Sequence, residues 1–370
     1  MKYDYSTQNI QVLTIAEAVR KRPGMYVGDT TRSESLHHAL VEVIEASIAE
    51  AISGHCDELR ITIEDDVTAI VEDNGRGMNP ALEPGQELSH IEWVLTGQAA
   101  GAYHAGGPWI TAPLSEWFEV TSWREGWAWH QEYERGRPRE RVRRGAPSER
   151  SGTSIRFCLD REIFTSDVAF DFGQIVGWLR ERMVEVSSTR CIVQDRRTDQ
   201  RVVLDASQGL TGWARGRARQ GGYWARELRH EPIQLTRRVE KYGVSLECVL
   251  LWTDRTQHIE RASAYGKPRY HGADTLDGMR RGVAEVIEAL ARQRSERAPT
   301  WAQLSRGLIA AIAFTRDLDE GAYRGPRPND YERMDTCFGE LARVMVVEQL
   351  GHELERHPGL LEDLLERART

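Results

Sequence analysis

The sequence has few cysteines, few lysines and no long apolar run. Its five cysteines, Cys56, Cys158, Cys191, Cys248 and Cys337, are scattered and form no Cys-x-x-Cys pair. That spacing argues against a zinc ribbon or a disulfide framework and reads as reduced thiols in a cytoplasmic protein. No apolar stretch is long enough to cross a bilayer and the N-terminus lacks a signal-peptide pattern, so no membrane role is expected. Internal repeats and low-complexity tails are missing too, which removes solenoid folds. The net charge of -8 argues against uniform affinity for DNA. Arginine carries most of the positive charge, in runs at Arg137 to Arg144 and Arg215 to Arg219. These runs read as solvated faces, so DNA is at most a weak partner.

What is present fits a globular protein of two domains, since 370 residues exceed one ordinary core. Residues 1–12 form a polar arm holding Tyr3 and Tyr5. Helices are expected at 14–21, 35–53, 90–95 and 170–186, and strands at 58–63, 68–72, 117–123, 128–134, 153–159 and 191–195, the last closing the sheet. Residues 215–222, rich in Arg, Gln and Gly, read as a loop before a second module. There, strands are expected at 244–252, 258–264 and 307–314, and helices at 275–293, 336–353 and 359–367. Strands mixed with helices make that module α+β with a crossover.

The most informative stretch is Val71-Glu72-Asp73-Asn74-Gly75-Arg76-Gly77-Met78. Asp73 ends a strand rich in β-branched residues. Gly75 and Gly77 then let the backbone approach something flat. On its own such a string reads as a turn. Its flanks give it weight: Ala18-Val19-Arg20-Lys21-Arg22-Pro23-Gly24-Met25-Tyr26-Val27-Gly28-Asp29, Leu36-His37-His38, Glu42-Val43, Gly54-His55-Cys56-Asp57, Leu114-Ser115-Glu116-Trp117 and Gly152-Thr153-Ser154-Ile155-Arg156-Phe157. In order and spacing these resemble the ATPase region of gyrase B and other bacterial type II topoisomerases. The resemblance is dense from about residue 10 to 195 and thinner to about 335.

The resemblance implies a two-layer α/β sandwich of the gyrase, Hsp90, histidine kinase and MutL type at 13–205, then a transducer-like α+β domain at 206–370. It implies ATP or another planar small molecule as ligand. Asp73 would accept from an adenine amino group, with Gly75, Gly77, Met78 and Thr153 beside it. Arg76 would pair with Glu50, and Arg124 would lie at the pocket rim. Glu42 stands where the family has its general base. Tyr5 matches an arm that closes over the partner's nucleotide, which implies a homodimer.

Three positions depart from the family. Its metal-binding asparagine, one turn beyond the base, is here Ala46, and a methyl group cannot hold magnesium. Glu45, next to it, points about 100° away round the helix, and Ser47 is no better placed. The phosphate loop is replaced by Ala102-Tyr103-His104-Ala105-Gly106-Gly107-Pro108-Trp109, which admits two registers. Gly106 and Gly107 are its candidate phosphate contacts, while Pro108 removes an N–H where donors are wanted. In the second module the catalytic lysine position is Pro328, within Tyr323 to Asn329. Arg327 or Arg324 would then supply positive charge, or else both face solvent.

Two functions follow. One is a gyrase-B-like adenine-nucleotide-binding protein with degenerate catalysis, regulatory and weak or inactive as an ATPase. The other is the same scaffold reused as an enzyme on a different small molecule, with Glu42 and His104 as catalytic groups and tryptophans such as Trp93, Trp109, Trp123, Trp127 and Trp129 lining an enlarged pocket or, on the plainer reading, packing core and sheet. An active topoisomerase component fits the three departures worst, and no cleavage domain or breakage tyrosine is expected in this chain.

Overall fold

Alternation of apolar residues builds the first sheet. In β1 (Glu58–Ile63) and β2 (Thr68–Asp73), Leu59 lies opposite Asp73, Ile61 opposite Val71 and Ile63 opposite Ala69, so these six side chains share one face. All six are buried. The computed structural model describes residues 13–82, 85, 87–98, 107–165, 167–186, 189–205, 209–219, 230–240, 244–254, 258–264, 272–316 and 328–369. The chain folds as two compact units, one built on residues up to Arg180 with Arg190–Leu204, the other on Glu181–Thr189 and most residues from Asp205 on.

In the first unit, among the described residues, β1 and β2 join β3 (Ser115–Arg124), β4 (Trp127–Glu134), β5 (Arg137–Pro138), β6 (Arg143–Pro147), β7 (Gly152–Leu159), β8 (Arg190–Asp195) and β9 (Gln200–Asp205). The order is β5-β4-β3-β7-β2-β1-β8-β9, with β6 also pairing β4. β1 and β8 pair parallel, whereas β2, β7, β3 and β4 form an antiparallel run. Helices α1 (Ile15–Lys21), α2 (Gly24–Val27), α3 (Ser33–Ile52), α4 (His90–Leu95), α5 (Pro108–Leu114) and α6 (Phe172–Arg182) complete the unit. α3 buries Leu36, Leu40, Val43, Ile44, Ile48 and Ala51 at helical spacing. The Thr111 hydroxyl of α5 donates to the Ala39 carbonyl at 2.7 Å, tying the two helices together.

In the second unit, β10 (Ile233–Val239), β11 (Val244–Trp252), β12 (Ile259–Ala264) and β13 (Leu308–Arg316) make a sheet ordered β10-β11-β13-β12. α7 (Gly209–Arg219) covers one face, against Val249, Leu251, Ile309 and Ala311. α8 (Gly272–Gln293), α9 (Trp301–Leu304), α10 (Pro328–Arg356) and α11 (Pro358–Glu366) supply residues to the core on Leu246, Cys248, Leu250, Ala310 and Ile312. Burial on both faces explains why β11 and β13 read as almost unbroken apolar runs. β12 and β13 are parallel, and α8 and α9 form the crossover between them. At the edge, the Gln349 amide of α10 takes the Thr236 N–H at 3.2 Å and donates to the Thr236 carbonyl at 2.8 Å.

The structure corrects several expectations. β9, not the strand at 191–195, ends the large sheet. The segment read as a loop at 215–222 is helical to Arg219, because α7 buries Leu210 and Ala214 despite its glycines and arginines. β10, α2, α5 and α9 are additional elements. Pro328 opens α10 as its first residue, where a missing N–H costs nothing. Among the described residues no helix is long and apolar enough to cross a membrane.

Candidate functional site

One row of side chains crosses the large sheet from β1 to β3: Leu59, Asp73, Thr153 and Ser122. The rows below it are apolar, with Val71, Ile155 and Val120, then Ala69, Phe157 and Phe118, all buried. Polar character thus begins where β2 ends, and Asp73, only 7% exposed, stands there. The protein itself supplies three donors to its carboxylate. Ser47 Oγ donates to Oδ2 at 2.7 Å, and the Gly75 and Thr153 N–H groups donate to Oδ1 at 3.0 and 3.2 Å. A carboxylate offers about four acceptor positions, so capacity is left for a ligand donor. Burial raises the Asp73 carboxyl above its ordinary value; the three hydrogen bonds oppose that rise, and the Glu50 charge adds to it. Burial, then the Asp73 charge, pushes the Cys56 thiol up to about 12 and keeps it protonated.

The loop after Asp73 is pressed against its neighbours. A Cβ on Gly77, at φ +77°, would lie 2.5 Å from the Trp123 carbonyl oxygen. One on Gly152, at φ +120°, would lie 2.0 Å from the Asp73 carbonyl oxygen. Only glycine fits either place. The backbone carbonyls of Gly77 and Met78 accept from Arg124 at 3.0 Å and Ser122 Oγ at 2.9 Å. Arg76 is held by Glu50 through three bonds: the Arg76 N–H and Nε donate to one carboxylate oxygen at 3.1 and 3.0 Å, and Nη2 to the other at 2.8 Å. The Asn74 side chain takes the N–H groups of Asp57 and Glu58, each at 3.0 Å, anchoring the loop to the start of β1.

α3 presents His38, Glu42, Ala46 and Glu50 at successive four-residue steps, hence on one face. Glu42 accepts from the N–H of Gly107, the residue that caps α5. Pro108 follows at the first helical position, so its missing N–H removes no intrahelical bond. Pro108 therefore breaks no helix bond, and the Gly107 amide beside it is occupied by Glu42. His38 places Nδ1 2.9 Å from the Val27 carbonyl. Since a carbonyl only accepts, Nδ1 carries a proton in that contact. Ala46 has no ligating atom, and no cluster of metal-ligating side chains occurs among the described residues.

Several tryptophans lie away from this row. Trp117 and Trp123 alternate with Phe118, Val120 and Ser122 along β3, so they occupy the opposite face. There Arg156 and Arg150 sit 4.8 and 4.0 Å above their rings. Trp129, opposite Ser122, and Trp127, opposite Arg124, lie on the face of the row at its β4 border, with Arg144 4.3 Å over Trp127. Trp109 is buried edge-on against Tyr26. Trp117 and Trp123 thus pack on the sheet's other face and Trp109 packs in the core.

Asp73, Gly75, Arg76, Gly77, Met78 and Thr153 therefore share one end of the helix-covered face. Glu42 lies two turns before Glu50 on the same face of α3, bonded to Gly107. Tyr5, His104, Gly106, Arg324 and Arg327 lie outside the described residues. Sequence reasoning misses Ser47 as a partner of Asp73 and Ser122 as a member of the row. Ser47 is a polar residue inside the apolar stripe Val43, Ile44, Ile48 and Ala51, and that misfit is the signal that could have found it.

No protein-family model matches the chain. It is 31% identical over 383 residues to the DNA gyrase B protein of Archaeoglobus fulgidus, covering 98% of this chain and 58% of that protein. It is 29% identical to the DNA gyrase B protein of Synechocystis, covering 99% of this chain and 35% of that protein. The chain thus spans only part of the length of these relatives. Its structure is similar to the crystal structure of the 43K ATPase domain of Thermus thermophilus gyrase B in complex with an aminocoumarin. The TM-score is 0.78 and the identity 26%, over 96% of this chain and 94% of that one.

Proposed function

Because the chain is a homologue of the N-terminal region of DNA gyrase B, with the fold of its ATPase and transducer domains, we propose that it binds a planar, amino-bearing ligand of the adenine type at Asp73 and hydrolyses ATP weakly or not at all. It serves as a binding or regulatory protein. The observation that carries this reading is Asp73: a buried carboxylate held by three protein donors at the end of an otherwise apolar face. Such a group recognises an exocyclic amine by a charge-assisted hydrogen bond. Ala46 argues against metal-assisted turnover, since the face shared with Glu42 carries no oxygen at that step. Magnesium-dependent phosphate release is expected to be absent or far below that of a complete family ATPase. Vigorous release that Glu42→Ala abolishes would overturn this half of the proposal. If slow release is found, Ala46→Asn is expected to raise it.

The pocket itself is tested by Asp73→Asn. Asparagine keeps the shape and the Oδ1 acceptor, but its amide must donate to Ser47. Losing the charged bond is expected to weaken an amino-bearing ligand by about 1.5–3 kcal/mol, or more than tenfold. Stability should move the other way with pH. The raised carboxyl contributes fully below the ordinary carboxylate range, and that contribution is lost as pH rises through its raised value. At pH 8 the variant should therefore melt at or above the wild-type temperature, an advantage that shrinks towards pH 4. Calorimetric titration and thermal melts at both pH values check this; unchanged ligand affinity rejects the pocket.

A further inference from the structure

Among the described residues, the wall around Asp73 is short of positive charge. Among the described groups of this site, Asp73, Glu42 and Glu50 are carboxylates, and Arg76 and Arg124 are the guanidiniums. Both guanidiniums are already engaged. Arg76 is forked onto Glu50, and Arg124 donates to the Gly77 carbonyl with Glu125 3.6 Å from its Nε. The amide of Gly107, which could meet an incoming anion, is taken by the protein's own Glu42 carboxylate. Ala46 supplies no place for a metal that would screen phosphates. A polyanion entering here must displace Glu42 from Gly107 and then lie beside it, like charge against like charge. A neutral ring with an amino group needs only Asp73 and leaves Glu42 where it is.

We propose that this pocket selects a neutral or cationic amino-heteroaromatic ligand, an adenine-type base or its nucleoside, over the corresponding triphosphate, with the Glu42–Gly107 contact as the selectivity element. The inference rests on the reading of Asp73 as the acceptor for the base. Glu42 then acts as a gate against anions in place of a general base.

Isothermal titration of the full chain with adenosine and with ATP, each with and without magnesium, tests it on the wild type, Glu42→Gln and Asp73→Asn. Glutamine can still accept from Gly107 but carries no charge, and a thermal melt shows whether the variant is folded. Adenosine is expected to bind roughly tenfold or more tightly than ATP, whether or not magnesium is present. Glu42→Gln should improve ATP binding relative to adenosine binding by about tenfold. Asp73→Asn should weaken both. ATP binding more tightly than adenosine to the wild type overturns the selectivity. So does a Glu42→Gln variant, folded by its melt, that shifts both ligands equally. In those outcomes the Asp73→Asn loss still stands, and the base-pocket reading survives. No adenosine binding at all, or binding that Asp73→Asn leaves untouched, overturns the base-pocket reading and this proposal with it.

Discussion

Gly278→Ala is expected to destabilise the second unit strongly. Gly278 lies within α8, where helix propensity alone would favour alanine by about 1 kcal/mol. Packing forbids it. A Cβ there would lie 1.8 Å from the Gly339 carbonyl oxygen and 2.5 Å from its carbonyl carbon. Both atoms belong to the backbone of α10, so no rotamer change relieves the overlap. One turn on, Gly282 is also close, its Cβ 2.9 Å from the Arg343 carbonyl oxygen. The helices must part, and the core they share, including Met279, Val283, Met345 and Val346, opens with them. Overpacking ordinarily costs about 1–3 kcal/mol, and an overlap with main chain belongs at or beyond the upper end. Against a typical stability of roughly 5–15 kcal/mol that is a large share. Hydrogen exchange at the β11 and β13 amides should rise sharply. Gly177→Ala, in α6 with nothing within 4 Å of its Cβ, is the control and should be neutral or stabilising. Full protection of β11 and β13 in the Gly278 variant would refute the argument.

A second substitution should be nearly as severe and should also remove the pocket. Gly152→Ala combines two costs. At φ +120° an L-residue is strained by about 1–3 kcal/mol. Its Cβ would also meet the Asp73 carbonyl oxygen at 2.0 Å and the Asn74 Cα at 2.8 Å. Relief requires β7 to move off the end of β2, which pulls the Thr153 N–H from Asp73 Oδ1. Together these are expected to destabilise the first unit by roughly 3–5 kcal/mol. For a domain of this size that lowers the melting temperature by about 6–20 °C. Any ligand affinity owed to Asp73 should go with it. Gly126→Ala, at φ +80° with open space around its Cβ, carries only the conformational cost and should lose about 1 kcal/mol. Equal melting temperatures for the two variants would show that the contact with Asp73 does not matter.

These two positions mark what the sequence can and cannot disclose. β1, β2 and β11 lie within a residue of where alternation and β-branched content put them. α5 escapes a sequence reading because Pro108 and Pro113 bracket it, and prolines are read as breaks; here one opens the helix and the other sits near its end. α7 escapes it because glycine and arginine are read as loop, although its two buried apolar residues suffice against a flat sheet. Asp73 can be recognised from its flanks. Ser47 stands out as a polar residue in an apolar stripe, but its pairing with Asp73 cannot be read there, since it depends on how α3 is rotated over β2. The contact between Glu42 and Gly107 joins residues far apart in the chain, and no local pattern encodes it. The crossing at Gly278 is likewise invisible, because a helix with two glycines one turn apart looks merely weak until its neighbour is seen.

The amide that Gln349 lays along β10 bears on the company the protein keeps in a crowded cell. An edge strand is a template: its unsatisfied amides and carbonyls invite another extended chain, and growth from such an edge is how folded proteins seed aggregates. At Thr236 both main-chain groups are already answered by one side chain. Arg237, paired with Glu348, sets charge beside it. At Thr236 the border of the sheet is thus closed by a helix residue imitating a strand.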